Sequence, residues 1–196
     1  VEPSPEWHAV AHTYLSFEFK DGTVLSLSVE ARRRNGENYS PILGLFRKYE
    51  LTYSWGTERD FLARRILLLN HSVYMYPLIL KEGTAAKIFL ALADTTADLA
   101  EHPGFYNTLT ANCTDVLAET VNSIFPHKLP YDISWNFPGS SDAYLMRMGY
   151  IASPTSLADA RTTHDLAQYR DTIASFATIN PKTFSAKIRE FLKEHQ

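Results

Sequence analysis

Two runs of alternating apolar and polar residues, separated by Lys20-Asp21-Gly22, constrain this chain more than any other feature. AHTYLSFEF (11–19) and TVLSLSVEARR (23–33) each read as a strand, and an Asp-Gly turn between such runs signals a hairpin. Two registers are open. A two-residue loop sets Phe17 against Ser26 and Leu15 against Ser28. A three-residue loop, closed by Gly22 in the left-handed region, sets Phe17 against Leu25, Leu15 against Leu27 and Thr13 against Val29. Side chains alternate with a period of two, so only the second register gathers both apolar sets onto one face. That register is the expected one.

The opposite face then carries Tyr14 against Ser28, Ser16 against Ser26, and His12 against Glu30. Opposed side chains in such a pair sit ~4.5–5.5 Å apart at Cβ, within reach of an imidazole–carboxylate hydrogen bond. A carboxylate on one ring nitrogen fixes the tautomer and favours the imidazolium. This is the orienting half of a catalytic triad, or equally a polar pair on a solvated face.

The chain has one cysteine, Cys113. It opens a predicted helix, NCTDVLAETVNSIF (112–125), with Asn112 as N-cap and Val116, Leu117, Val121 and Ile124 as an apolar stripe. Backbone N–H groups and the helix dipole at such a position lower a thiol pKa, and the same N–H groups can receive an oxyanion. Against this stands the common role of a lone cysteine as a small buried hydrophobe.

The rest of the chain supplies more elements. ELTYSW (50–55) and SVYMYPLIL (72–80) read as strands, and PILGLFRKYE (41–50) as a short amphipathic piece. Helices are expected from Glu58 to about Leu69, over 84–102, 140–151, 156–176 and 181–195. An aromatic, Pro-containing loop covers 131–139, and a Ser/Thr/Pro connection follows residue 151. A leading hairpin with interleaved helices argues α+β with an antiparallel sheet packed against helices.

At 196 residues and 45% hydrophobic, the chain can bury one sizeable core. A net charge of -3 gives no reason to expect nucleic acid as partner. Arg32-Arg33-Arg34 reads as a solvated strand end. No run approaches the ~20 apolar residues of a membrane span, and the opening VEPSPEW has no signal-peptide pattern. His102 and His127 sit at predicted helix ends, and His71 and His164 have no spaced partners. A zinc site would need repeated Cys/His spacing, and no Gly-rich phosphate loop occurs. No metal and no cofactor is expected. Tyr39, Trp55, Tyr106 and Trp135 could line a groove, although aromatics are more often core.

HTYLSFEF, SVEARRRNGENYSPILGLFRKYELTYSWGTERD and FYNTLTANCTD, three separated motifs in order, resemble the DUF4105 family, also called the Lnb amino-terminal periplasmic domain. The resemblance spans roughly residues 8 to 150. It implies a circularly permuted papain-like fold of the NlpC/P60 type, with the histidine strand preceding the cysteine helix. It implies Cys113 as nucleophile, His12 as base and Glu30 as the residue that orients it. On this reading residues 1–150 form the papain-like domain and 151–196 a helical extension packed on it. Asn112 and Tyr14 would support the oxyanion, and Tyr39, Trp55 and Tyr106 would line the substrate groove. The resemblance further implies a bacterial periplasmic or outer-membrane-associated location. The substrate would be a small cell-envelope peptide or an acylated lipid, cleaved or transferred at an amide or ester bond. A non-catalytic binding or chaperone-like module of the same fold, or a redox-sensing thiol, remain the alternatives.

Overall fold

The hairpin forms in the three-residue-loop register. The structure, a computed structural model, describes residues 1–4, 10–152 and 156–195. Its strands are β1 (Glu2–Pro3), β2 (Ala11–His12), β3 (Tyr14–Glu18), β4 (Val24–Arg32) and β5 (Glu50–Thr57). β3 pairs antiparallel with β4, setting Phe17 opposite Leu25 and Leu15 opposite Leu27. Gly22 closes the turn at φ 81, with Phe19 and Thr23 joined across it. β4 pairs antiparallel with β5 along its length, so the sheet order is β3-β4-β5.

The first run is not one continuous strand. It breaks at Thr13: β2 turns away to pair with β1, and the β3–β4 ladder stops at Tyr14–Ser28. Glu30 is opposite Thr52 on β5, while His12 is opposite Glu2 on β1. The break has a tertiary cause: the Thr13 N–H is donated to the Cys113 thiol at 3.4 Å instead of to a strand.

Helices cover both faces of the sheet. In chain order they are α1 (Pro41–Gly44), α2 (Glu58–Ala63), α3 (Thr84–Glu101), α4 (Cys113–Ile124), α5 (Ser141–Arg147), α6 (Leu157–His164), α7 (Arg170–Phe176) and α8 (Pro181–His195). On one face Leu27 and Val29 pack with Ile88 and Leu92 of α3 and Cys113, Val116 and Leu117 of α4. On the other, Tyr14 packs against a core of Leu62, Ile66, Val73, Leu166, Ile173, Phe184, Ile188 and Leu192. Burying each large apolar side chain of these clusters contributes about 1.5–3 kcal/mol. The β4 part of the hairpin's serine face is therefore covered, with Ser26 and Ser28 fully buried, while Ser16 on β3 is exposed.

Three elements depart from the sequence reading. Residues 72–80 are extended but make no strand: Tyr74, Met75 and Ile79 donate to Val1, His164 and Tyr150, three separate partners, and Pro77 has no N–H to give. The helix expected over 156–176 breaks at Asp165, whose carboxylate accepts from Ser72, Val73 and Ala167. The helix from Glu58 does not stay α-helical: past Ala63 it widens to a π-turn over Arg64–Leu68. Two 3-10 turns, Ile133–Trp135 and Pro138–Ser140, occupy the aromatic loop. The Ser/Thr/Pro connection at 153–155 lies outside the described residues.

Candidate active site

α4 begins at Cys113 because Asn112 caps it. Asn112 Oδ1 accepts from the N–H groups of Thr114 and Asp115 at 2.8 and 3.2 Å, and its backbone oxygen accepts from Val116. The amide nitrogen of Asn112 donates to Thr108 O, Trp135 O and Asp115 Oδ2. Every polar atom of the Asn112 side chain is thus used to fix the helix start. Asn112 supports the site, and the first-turn donor it leaves free for an oxyanion is the N–H of Cys113.

The Cys113 thiol sits between that helix start and the broken strand. It accepts from Thr13 N–H and faces Ala11 O at 3.8 Å. Thr13 and Thr114 join their hydroxyls beside it at 3.2 Å. Burial alone would raise the thiol pKa, but hydrogen bonding to His12 and the imidazolium charge outweigh burial and bring it below the ordinary value. Cys113 is at the expected helix start and only 1% exposed.

His12 and Glu30 meet although the strand between them breaks. His12 Nε2 lies 3.1 Å from Glu30 Oε1 and also contacts Ser28 Oγ, which in turn donates to the same Glu30 oxygen at 2.7 Å. With Nε2 committed to that pair, Nδ1 is the nitrogen left for the thiol. Burial opposes charge on both partners. On His12 the Glu30 carboxylate and Cys113 overcome it, raising the imidazole to about 10. On Glu30 the His12 charge and hydrogen bond, Ser28 and Arg65 overcome it, holding the carboxyl at about 2. Each shift favours the charged form: the thiol is moved toward thiolate, the imidazole toward imidazolium and the carboxyl toward carboxylate.

The remaining sequence candidates divide. Tyr39 and Tyr106 pack edge-to-face at 6.0 Å, and Tyr39 donates or accepts at Thr108 Oγ1, 3.0 Å away. Burial and the charge of Cys113 both push the Tyr106 phenol up, so these two rings do stand by the thiol. Trp55 stands apart from these two rings and borders the open cavity that Glu30 and Arg65 also line. It donates to Thr96 at 3.1 Å and packs on Phe89, because its parity on β5 aims it at α3. Trp135 is buried core. Tyr14 stands beside the candidate base: its ring lies 6.4 Å from that of His12, under the Arg65 guanidinium at 4.9 Å and against Phe61 at 5.6 Å. Its support of the site is indirect.

Two residues at the site had no sequence signal as site residues. Ser28 bridges His12 and Glu30, and Arg65 reaches Glu30 Oε1 at 3.4 Å from the π-turn. An arginine in an amphipathic helix reads as solvated, so only the register on β4 could have suggested Ser28. Two cavities flank the site. Thr13 and Tyr14 border one of about 1070 Å³, with Leu15, Met75, Leu145 and Leu192 in its mostly apolar wall. Glu30 and Arg65 border a second of about 640 Å³, arginine-rich and open. Among the described residues no cluster of His, Cys, Asp and Glu could hold a metal ion, and no helix is long and apolar enough to cross a membrane.

Residues 4–136, more than half of the chain, match the family described as the Lnb N-terminal periplasmic domain. No curated protein and no solved structure gives a significant match.

Proposed function

The chain belongs to the Lnb N-terminal periplasmic domain family, and from that premise we propose that it is a cysteine-dependent hydrolase or acyltransferase of permuted, NlpC/P60-type papain-like fold. The observation that carries the reading is the row Cys113–His12–Glu30, with the thiol pKa lowered by the imidazolium beside it. The Cys113 thiolate attacks an acyl carbonyl, and the oxyanion that forms is received by the Cys113 N–H. The His12 imidazolium gives its proton to the departing amine or alcohol as the tetrahedral intermediate collapses to a thioester. Water, or the amine of an acceptor, then attacks the thioester. His12 takes the proton of that nucleophile, the carbon–sulfur bond breaks, and the thiolate is restored. Glu30 keeps the ring aligned through both steps. The substrate is an amide or ester of a cell-envelope peptide or acylated lipid, met in the periplasm or at the outer membrane. A mostly apolar cavity has Thr13, whose N–H meets the thiol, among its lining residues, and it favours the acylated class, since a hydrocarbon chain gains from such walls what a polar peptide does not.

The burial of Cys113 favours a second reading, a binding or chaperone-like module that retains the fold without catalysis. An activated long-chain acyl ester separates the two. The enzyme forms a thioester on Cys113 that mass spectrometry locates, and Cys113→Ala abolishes it with the fold intact. A folded wild type that takes no acyl group contradicts the enzyme and leaves the module.

A further inference from the structure

The Glu30 carboxylate is held from behind as well as from His12. Arg65 is buried, and its guanidinium donates Nε–H to Glu2 Oε2 at 2.5 Å, Nη2–H to Glu30 Oε1 at 3.4 Å and Nη1–H to Phe61 O at 3.5 Å. Its Cζ lies over two neighbouring rings, 4.9 Å from the centre of Tyr14 and 5.1 Å from that of Phe61. Glu2, also buried, is itself held by His71 Nδ1 at 2.6 Å from Oε1. Thus three donors from three places, Ser28 on β4, His12 on β2 and Arg65 on the π-turn, converge on one oxygen of Glu30.

A guanidinium buried with one carboxylate and shared with a second, partly exposed one is a poor way to gain stability, because desolvation consumes most of the Coulombic attraction and apolar residues of like volume would serve as well. What such a cluster does supply is a fixed direction. The π-turn fits this role: one extra residue per turn re-aims side chains, and such turns recur at functional sites.

We propose that Arg65, pinned by Glu2, is a positioning residue of the Cys113 site, keeping the Glu30 carboxylate on Nε2 of His12. The inference rests on the reading of Cys113 and His12 as nucleophile and base. Arg65 touches no reacting atom and acts through Glu30 alone. Its removal has a diagnostic sign. If Arg65 were merely a cation near the site, taking it away would let His12 hold its proton more tightly. If it positions Glu30, its removal lets the carboxylate swing from Nε2, and His12 gives up its proton more easily.

The test is an NMR titration of the His12 ring in the full chain, with Glu2→Gln and Arg65→Met combined so that no carboxylate is left orphaned. A double variant of Arg161→Met and Asp142→Asn, which deletes another ion pair with a buried carboxylate and no contact with Glu30, serves as control. The expected result is a His12 titration lowered by about one unit or more in the Glu2/Arg65 variant and unmoved in the control. A titration that stays put or rises overturns the proposal. Should the double variant fail to fold, Arg65→Gln takes its place and is judged by the same reading. Acyl labelling of wild-type Cys113 reads the enzyme separately. A wild type that labels, with no His12 shift in the variants, sinks only the role of Arg65. A His12 shift without labelling sinks only the enzyme.

Discussion

Charge at the helix start is divided unequally between neighbouring side chains. Asp115, two residues from the nucleophile candidate, is raised to about 7 by burial, with Glu119 adding to it against the hydrogen bond from Asn112. It binds its proton more tightly folded than unfolded. Stability therefore falls as pH climbs from the ordinary carboxylate range to about 7, and the penalty is complete above that. Asp115→Asn keeps an oxygen for the Asn112 amide while removing the charge. Its gain in melting temperature should be larger at about pH 8 than at about pH 5. An equal change at both would mean that Asp115 does not titrate this way. At this scale the sequence brought His12 and Glu30 together, but not as the opposed pair of its register: the β3–β4 ladder ends at Tyr14–Ser28, and the two side chains meet beyond it, across the break at Thr13. It could not reveal Arg65 or Glu2: they come from distant segments, and nothing in local spacing marks a buried guanidinium. Tyr14 and Trp55 were legible as aromatics beside the site but not in direction, since which neighbour a ring meets depends on the helices that cover the sheet.

Elements with a dedicated end signal were the legible ones. The β3–β4 hairpin has Gly22, and α4 has Asn112. The cap is worth a measurement, because Asn112 holds two first-turn N–H groups and ties the helix to Thr108 and Trp135 as well. Asn112→Ala should cost about 2 kcal/mol in urea unfolding, the upper end for an N-cap. A loss below about 0.5 kcal/mol would show that the loop contacts and the cap contribute little. Where an element ends by tertiary demand, sequence patterning misses it. The break at Thr13 answers to a thiol a hundred residues away, and the break at Asp165 answers to Ser72 and Val73. The run at 72–80 has a strand's composition, yet its backbone partners are scattered over the fold.

Across the whole molecule, two cores meet on one three-stranded sheet, and the candidate site lies where they join. Cys113 belongs to the core with α3 and α4, while Tyr14 packs into the core that α7 and α8 complete. The α+β class and the antiparallel sheet followed from the order of strands and helices. The enclosure of the β4 serines did not, because their covering comes from α2 and from α8 at the far end of the chain. That enclosure buries Ser28 and Cys113, while His12 and Glu30 stay partly exposed, so screening of their charges is reduced and not removed. The measurement that tests this account most directly is the ultraviolet thiolate absorbance of the native chain against pH, with Cys113→Ser as blank, since it needs no reagent to reach a buried sulfur. The account predicts a thiolate signal that appears below the ~8.5 of an unperturbed thiol. A signal that appears only above about pH 8.5 would contradict it, leaving Cys113 an ordinary buried thiol.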